Sequence, residues 1–313
     1  MIGGCGFIGS HIVDHLRDLG CVIRIIDRNK ERFRDPFPDV QYVLGDYAEK
    51  NLLGDALDGI DVVIHLASST VPQTSNLDPA KDVGDNLLGS IALLDGMVKY
   101  KVPKIIYLSS GGTIYGIPQV KCVDEGQPLE PIVSYGIVKL AIEKYIHLYS
   151  RLHGLDYCIL RASNPYGPRQ GRLGVQGVIG TFLHKLSTGS AVEIWGDGTI
   201  VRDFLYVSDL ARACALAIEG GSKSIYNVGS SEGYSINQVI AVMSKVTGLS
   251  IVPRYKHSMP YDVPFVTLDT SKIRQDLGWI PEVDLESGIA ESWAWIKGQQ
   301  AKEGDAALLD NIR

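Results

Sequence analysis

Paired cysteines, metal-ligand clusters, an excess of basic charge and membrane-length apolar runs are all missing from this chain of 313 residues. Its five cysteines (Cys5, Cys21, Cys122, Cys158 and Cys214) are odd in number and scattered. They read as isolated thiols in a reducing, cytoplasmic compartment and not as a disulfide framework. The seven histidines form no His-x-x-x-His or Cys/His cluster, so no metal chemistry is expected. The longest apolar runs, such as Val62 to Ala67, have the length of a strand and cannot span a bilayer. No basic leader with an apolar core and cleavage site is present. Thirty basic side chains against 36 acidic ones leave a net charge of −6, which suggests neither a nucleic-acid nor an anionic-membrane partner. The length allows a full core and two lobes.

What the chain does have begins at its first glycines. Gly3, Gly6 and Gly9 are spaced Gly-x-x-Gly-x-x-Gly, with Phe7 and Ile8 between the last two. A helix is expected next, with Ile8, Ile12, Leu16 and Leu19 on one stripe and Gly20 as its stop. Val22 to Ile26 then reads as a buried strand ending in Asp27. Glycine turn, helix, strand and terminal acid form a dinucleotide fingerprint. The glycines let the backbone approach a pyrophosphate at a helix N-terminus, where free N–H groups and the dipole favour anions. Asp27 would accept from ribose hydroxyls and repel a 2′-phosphate, which favours NAD over NADP; Arg28 beside it argues weakly the other way. The strand that should precede Gly3 is nearly absent, so the chain is expected to begin five or six residues upstream or to be truncated.

Further strands are read at Val40–Leu44, Val62–Ala67 and Ile105–Leu108, alternating with helices that include Val83–Tyr100. This alternation predicts an α/β, doubly wound parallel sheet of Rossmann type. Its ligand would lie at the carboxyl ends of the strands. Asp46 could meet an adenine amine, and Leu66, Ala67 and Ser68 could border the cofactor. A longer apolar-periodic segment from Tyr135 to Tyr149 puts Tyr135 and Lys139 one turn apart on one helix face. An ammonium beside a phenol favours phenolate, so the Tyr135 pKa is expected below its usual value near 10.

Taken together these residues resemble the extended short-chain dehydrogenase/reductases, in their NAD-dependent nucleotide-sugar epimerase branch. The resemblance rests on Gly3/Gly6/Gly9, Asp27, His65-Leu66-Ala67, Asn86, Ser109-Ser110 with Tyr115-Gly116, and Tyr135-x-x-x-Lys139. It continues through Arg161 to Arg169, Gly196-Asp197-Gly198, Arg202-Asp203-Phe204, Asn227-Val228-Gly229 and Asp269 to Trp279. It implies a 4-epimerase of a UDP-hexose or UDP-N-acetylhexosamine, with Tyr135 taking a hydroxyl proton while hydride passes to tightly held NAD and returns to the other face of a transient 4-ketone. Lys139 would hold the nicotinamide ribose, and Asn86 would belong to the cofactor site. The family's usual assisting hydroxyl falls on Gly111 here; Thr113 is the first substitute and Ser110 the second. Gly111-Gly112-Thr113 also lacks the acid pair of the dehydratase relatives. For the substrate the resemblance points to Asn164, Arg202 and Asp262, the first two at positions that hold the diphosphate. A second arginine expected three residues before Asp262 is Met259, so Arg254 or His257 would have to compensate. Val266, where some relatives carry a bulky aromatic, leaves room for an N-acetyl group.

The expected organisation is an NAD-binding domain over 1–165, a smaller C-terminal α/β substrate lobe over 166–297 with 203–219 returning to the first domain, and a tail over 298–313. A homodimer through the Val83–Tyr100 and Tyr135–Tyr149 helices is expected from the resemblance. Two other readings stand beside the epimerase: a nucleotide-sugar oxidoreductase of the same fold, and a non-catalytic dinucleotide-binding or regulatory protein.

Overall fold

The structure, a computed structural model, describes residues 1–171, 177–257 and 263–310. Met259 and Asp262 therefore lie outside the described residues.

Parallel strands run side by side in the order Val40–Leu44, Ile23–Asp27, Ile2, Val62–His65, Lys104–Ser110, Asp156–Ala162 and Ser224–Val228. The strand order reverses at Ile2, which bridges to Ile26 on one side and His65 on the other. Ile2 donates to Ile64 O (2.9 Å) and accepts from Leu66 N (3.0 Å), while Ile26 N donates to Met1 O (2.9 Å). The first strand is short, as expected, but its neighbours are paired through this stub. Ile2 is 2% exposed.

Helices cover both faces, as the alternation implies. On one face Phe7–Asp18 packs with Val207–Glu219; Ile12, Val13 and Leu16 meet Leu210, Ala213 and Cys214 over Ile25, Ile106 and Leu160. On the other face, Lys50–Leu57, Gly89–Lys99 and Ser134–His153 bury Leu57, Leu93, Met97, Val138, Ile142 and Ile146. Residues 207–219 thus lie on the large sheet. Each such aliphatic side chain, fully buried, stabilises the fold by about 1.5–3 kcal/mol.

Several local expectations shift. The first helix ends at Asp18, so Leu19 falls off the buried stripe and is exposed, and Gly20 (φ +77°) turns the chain. The next strand is Ile23–Asp27, with Val22 in solvent. The Val83–Tyr100 helix is interrupted: Val83–Leu88 is π-helical and the α-helix runs over Gly89–Lys99. The wider turn brings Asn86 into the interior, where its amide is bonded on all sides. Past residue 298 the helix Leu285–Asp310 continues to the last described residue. Strong helix formers such as Gln299, Gln300 and Ala301 sustain it without an amphipathic stripe.

A second, smaller group of strands contains Val201–Tyr206, flanked by Gly233–Ser235, Phe265–Leu268 and Asn164–Tyr166. Phe182, Leu183, Ile194, Phe204, Tyr206, Val239, Met243 and Ile289 form its own core. Three tryptophans serve as packing residues. Trp279 is buried, with its Nε1 donating to Asp209 O (2.9 Å), and Trp293 and Trp295 lie against the second core.

Candidate active site

Because the strands of the large sheet are parallel, Asp27, His65, Ser110, Ala162 and Val228 all end at one edge. The glycine turn lies at this edge, where the strand order reverses. Gly3 (φ +87°) has to lack a side chain, since a Cβ there would stand 3.0 Å from Ala67 N. Gly9 is tighter: a Cβ would fall 2.3 Å from Gly3 O and 2.7 Å from Gly4 Cα. Gly6 opens the helix Phe7–Asp18 without any side-chain cap, so the first-turn N–H groups of Phe7, Ile8 and Gly9 compete with none. Phe7 sits edge-on to His11, and Ile8 packs on the core.

Asp27 is partly exposed. Its Oδ2 accepts from Cys5 N (3.0 Å) and its Oδ1 from Asn29 N (2.8 Å), which fixes the carboxylate beside the glycine turn. Arg28 turns to Asp46 instead of towards a ribose phosphate; the ion pair is 2.6 Å, and Asp46 Oδ1 accepts from Ala48 N. Leu66 N and Ala67 N both donate to Ile2 O, and Ser68 Oγ donates to Thr70 O. Asn86 Oδ1 accepts from Ser69 N (2.8 Å), while its Nδ2 donates to Asp82 (2.8 Å) and Thr70 Oγ1 (3.3 Å). Its amide shapes the 69–70 loop from within. Bare N–H groups, a glycine cradle and a fixed acid form a donor set that fits a dinucleotide pyrophosphate and ribose.

Tyr135 and Lys139 share one face of the helix Ser134–His153, with Lys139 Nζ 5.6 Å from the Tyr135 ring centre. Lys139 is buried; its Nζ donates to Leu108 O (2.9 Å) and lies 5.0 Å from the centre of the Tyr107 ring. Tyr135 is half-buried as a residue. Its phenol does not follow the expected fall in pKa. Burial, and then the nearby Asp82 carboxylate, push it up to about 12. Burial lowers Lys139 to about 8, against the charges of Asp82 and Glu143. Desolvation outweighs the neighbouring ammonium, because that ammonium is held on a backbone carbonyl and not on the phenol.

Thr113 Oγ1 donates to Ser110 Oγ (2.8 Å), and both residues are partly exposed. A Cβ on Gly136 would touch Thr113 O (2.8 Å), so the loop abuts the turn carrying Tyr135. A side chain on Gly111 would strike Leu268 Cδ1 (2.5 Å) and Arg161 O (2.9 Å). This packing rules out a hydroxyl at 111 in the present backbone, leaving Thr113 and Ser110 as the paired hydroxyls of the loop.

In the smaller lobe, Asn164 Nδ2 donates to Asp203 O (2.8 Å). Arg202 donates to Val201 O (2.9 Å) and Val263 O (2.6 Å). Asp203, the next residue, is buried and accepts from Ser230 and from Ser231 N and Leu268 N. Val266 is buried.

Sequence reading passed over the groups that hold the Tyr135 helix. Asn76 Oδ1 accepts from Ser134 N (2.9 Å) and Ser75 Oγ from Tyr135 N (3.1 Å), capping the helix from a neighbouring segment. Ser134 Oγ donates to Asp82. The one available signal was the spacing of Asp82 and Asn86, four residues apart as on a helix face.

Residues 1–229 match the model of the NAD dependent epimerase/dehydratase family. The chain belongs to that family. A protein of Methanocaldococcus jannaschii, provisionally named a UDP-glucose 4-epimerase, is 38% identical over 300 residues, covering 94% of this chain and 97% of its own. The structure of UDP-glucose 4-epimerase from Thermotoga maritima, determined with UDP-glucose, superposes with a TM-score of 0.92 at 35% identity, covering 96% of this chain and 98% of that one. The Thermus thermophilus UDP-glucose 4-epimerase in complex with NAD has a TM-score of 0.90 at 32% identity, with 95% and 98% covered. The cofactor of this epimerase/dehydratase family is NAD, in agreement with the glycine cradle and Asp27. No helix of the described residues is long and apolar enough to cross a membrane.

Proposed function

We propose that this chain is an NAD-dependent 4-epimerase of a UDP-sugar. The observation that carries the reading is a half-buried tyrosine, Tyr135, beside a buried ammonium, Lys139, on a helix packed against the strand Lys104–Ser110, whose carboxyl end shares the sheet edge of the glycine turn. Kinship with UDP-glucose 4-epimerases supports it. In this reading residues 1–165 carry the cofactor and 166–297 the sugar nucleotide, save that the helix Val207–Glu219 and the strand Ser224–Val228 return to the large sheet while Phe204 and Tyr206 stay in the second core.

NAD, when bound, supplies a hydride acceptor that also returns the hydride, so no reductant is consumed. Gly3, Gly6, Phe7, Ile8 and Gly9 receive its pyrophosphate and Asp27 its adenosine ribose. Leu66, Ala67, Ser68 and the Asn86-braced loop border it, and Lys139 orients the second ribose. Tyr135 takes the proton of the sugar's 4-hydroxyl and returns it after the 4-ketone has turned over. The Thr113–Ser110 pair steadies the reacting oxygen. Arg202 and Asn164 hold the diphosphate, for which a guanidinium is suited by its two-pronged donation, and Asp262 belongs to the same substrate site.

The test is an NMR assay of UDP-glucose, UDP-N-acetylglucosamine and UDP-glucuronate with catalytic NAD. The expected result is conversion to the 4-epimer with no net change at the nicotinamide absorbance band. Stoichiometric consumption of NAD(H) would assign an oxidoreductase instead, and NAD binding without conversion a regulatory binder.

The oligomer we infer is a homodimer. Ile137, Tyr145, Leu148 and Leu152 form an exposed apolar stripe along the helix Ser134–His153, with Leu88 exposed near the adjoining Gly89–Lys99 helix. Two copies pairing these helices would bury it. Leu148→Glu is expected to convert a dimer to a monomer in sedimentation analysis; a wild-type monomer sinks the inference. The cytoplasmic assignment rests on five free thiols, three of them buried.

A further inference from the structure

Beneath the start of the Tyr135 helix lies a charge with no ion-pair partner among the described residues. Asp82 ends the short helix Pro79–Asp82 and is wholly buried. Three neutral groups donate to it: Thr70 Oγ1 (2.7 Å) and Asn86 Nδ2 (2.8 Å) to Oδ1, and Ser134 Oγ (2.7 Å) to Oδ2. Burying a carboxylate is costly, and neutral donors stabilise it without cancelling its charge. The field of such a group falls on whatever ionisable neighbours it has.

Those neighbours are the two residues of the proposed chemistry. Ser134, which Asp82 holds, directly precedes Tyr135, and Lys139 is one turn further on. From the strand Lys104–Ser110, Tyr107 adds a neutral phenol beside Lys139, and from Val62–His65 comes a buried imidazole. Burial lowers the His65 pKa to about 3, so this imidazole is neutral near pH 7. Glu143, on the same helix, is paired with Arg161. Asp82 is thus the unpaired negative charge that this environment presents to Tyr135.

We propose that Asp82 is a positioning residue for proton transfer: its hydrogen bonds tie the Tyr135 end of the helix to the 70–86 segment, and its carboxylate sets a fixed negative charge beside the phenol and the Lys139 ammonium. This rests on the reading of Tyr135 as the base. Asp82 follows burial as the second cause that raises the Tyr135 pKa, and it opposes the loss of the Lys139 proton. A phenolate held against a negative charge is scarcer but more basic. It therefore takes the sugar's proton more readily once formed, in keeping with Brønsted behaviour.

The test is an ultraviolet difference titration of tyrosinate in the NAD-loaded protein, with Tyr135→Phe as the blank that isolates residue 135. Asp82→Asn keeps an acceptor for Thr70 and Asn86 and lets its new amide donate to Ser134 Oγ. It is expected to lower the Tyr135 midpoint by about one pH unit and to move the acid limb of the kcat profile the same way. Ser134→Ala removes a hydrogen bond and keeps the charge, so its midpoint is expected at or above the wild-type value. An unchanged midpoint in Asp82→Asn overturns the proposal. A fall in Ser134→Ala overturns it equally, and decides alone should Asp82→Asn not fold. The titration needs no turnover, so a failed epimerase assay and a failed Asp82 role give different results.

Discussion

Replacing Tyr135 with Phe is expected to lower epimerase turnover by about 10²–10⁴-fold, the usual span for a lost proton-transfer group. NAD should be retained through desalting, because the glycine cradle and Asp27 are untouched. The substitution removes one oxygen from a half-buried residue on a helix whose N-terminus is already capped by Asn76 and Ser75. Folding should therefore be little changed, and the loss should appear in kcat far more than in KM. The measurement is the initial rate of 4-epimer formation at saturating sugar nucleotide, with cofactor occupancy read from nicotinamide fluorescence after reduction. Retention of activity within a factor of about three would remove Tyr135 from the chemistry, since even a modest general base contributes more than that.

The largest effect on stability is expected from Glu143→Ala. Glu143 lies one turn beyond Lys139 and is fully buried, with both oxygens on the Arg161 guanidinium (3.1 and 2.7 Å). Ser109 Oγ also donates to Glu143, and Arg161 donates to Tyr115, whose hydroxyl donates to Asn227. This network locks the Tyr135 helix to the strand ends that carry Ser110 and Ala162. Truncating Glu143 leaves a buried guanidinium without its counter-charge, at a cost of about 3–5 kcal/mol. In a protein of this size the melting temperature should fall by about 10 °C, measured by calorimetry. A double variant, Glu143→Leu with Arg161→Met, should recover part of the loss, because neither charge is then stranded. Recovery stays incomplete, since Ser109 and Tyr115 still lose a partner. If the single variant melts within about 1 °C of wild type, the network is not the anchor described here.

The order of strands and helices was legible because each element announces itself locally. Ile8, Ile12 and Leu16 recur at helical spacing, Val62 to Ile64 run apolar at strand length, and Gly3, Gly6 and Gly9 mark a turn that a side chain on Gly3 or Gly9 would block. The Tyr135–Lys139 pair was legible for the same reason, as two residues one helical turn apart. Less accessible was anything that depended on packing between distant segments. The Arg28 side chain beside the fingerprint acid pairs with Asp46, which no spacing reveals. Gly111 reads as a missing catalytic hydroxyl in one dimension; in three it is a position where Leu268 and Arg161 leave no room. The Val83–Tyr100 helix gives no sequence sign of its π-turn, because the turn answers to the interior groups that bond Asn86.

The sequence by itself determined the doubly wound class, the glycine cradle, the fingerprint acid and the tyrosine–lysine helix face. These follow from backbone geometry and periodicity within a few residues. Only the tertiary structure decided the electrostatics. It turned the expected fall in the Tyr135 pKa into a rise and brought Asp82 beneath the helix from 52 residues away. Proton affinity depends on what surrounds a group in space and how much water it loses, and neither quantity is written in the order of the residues.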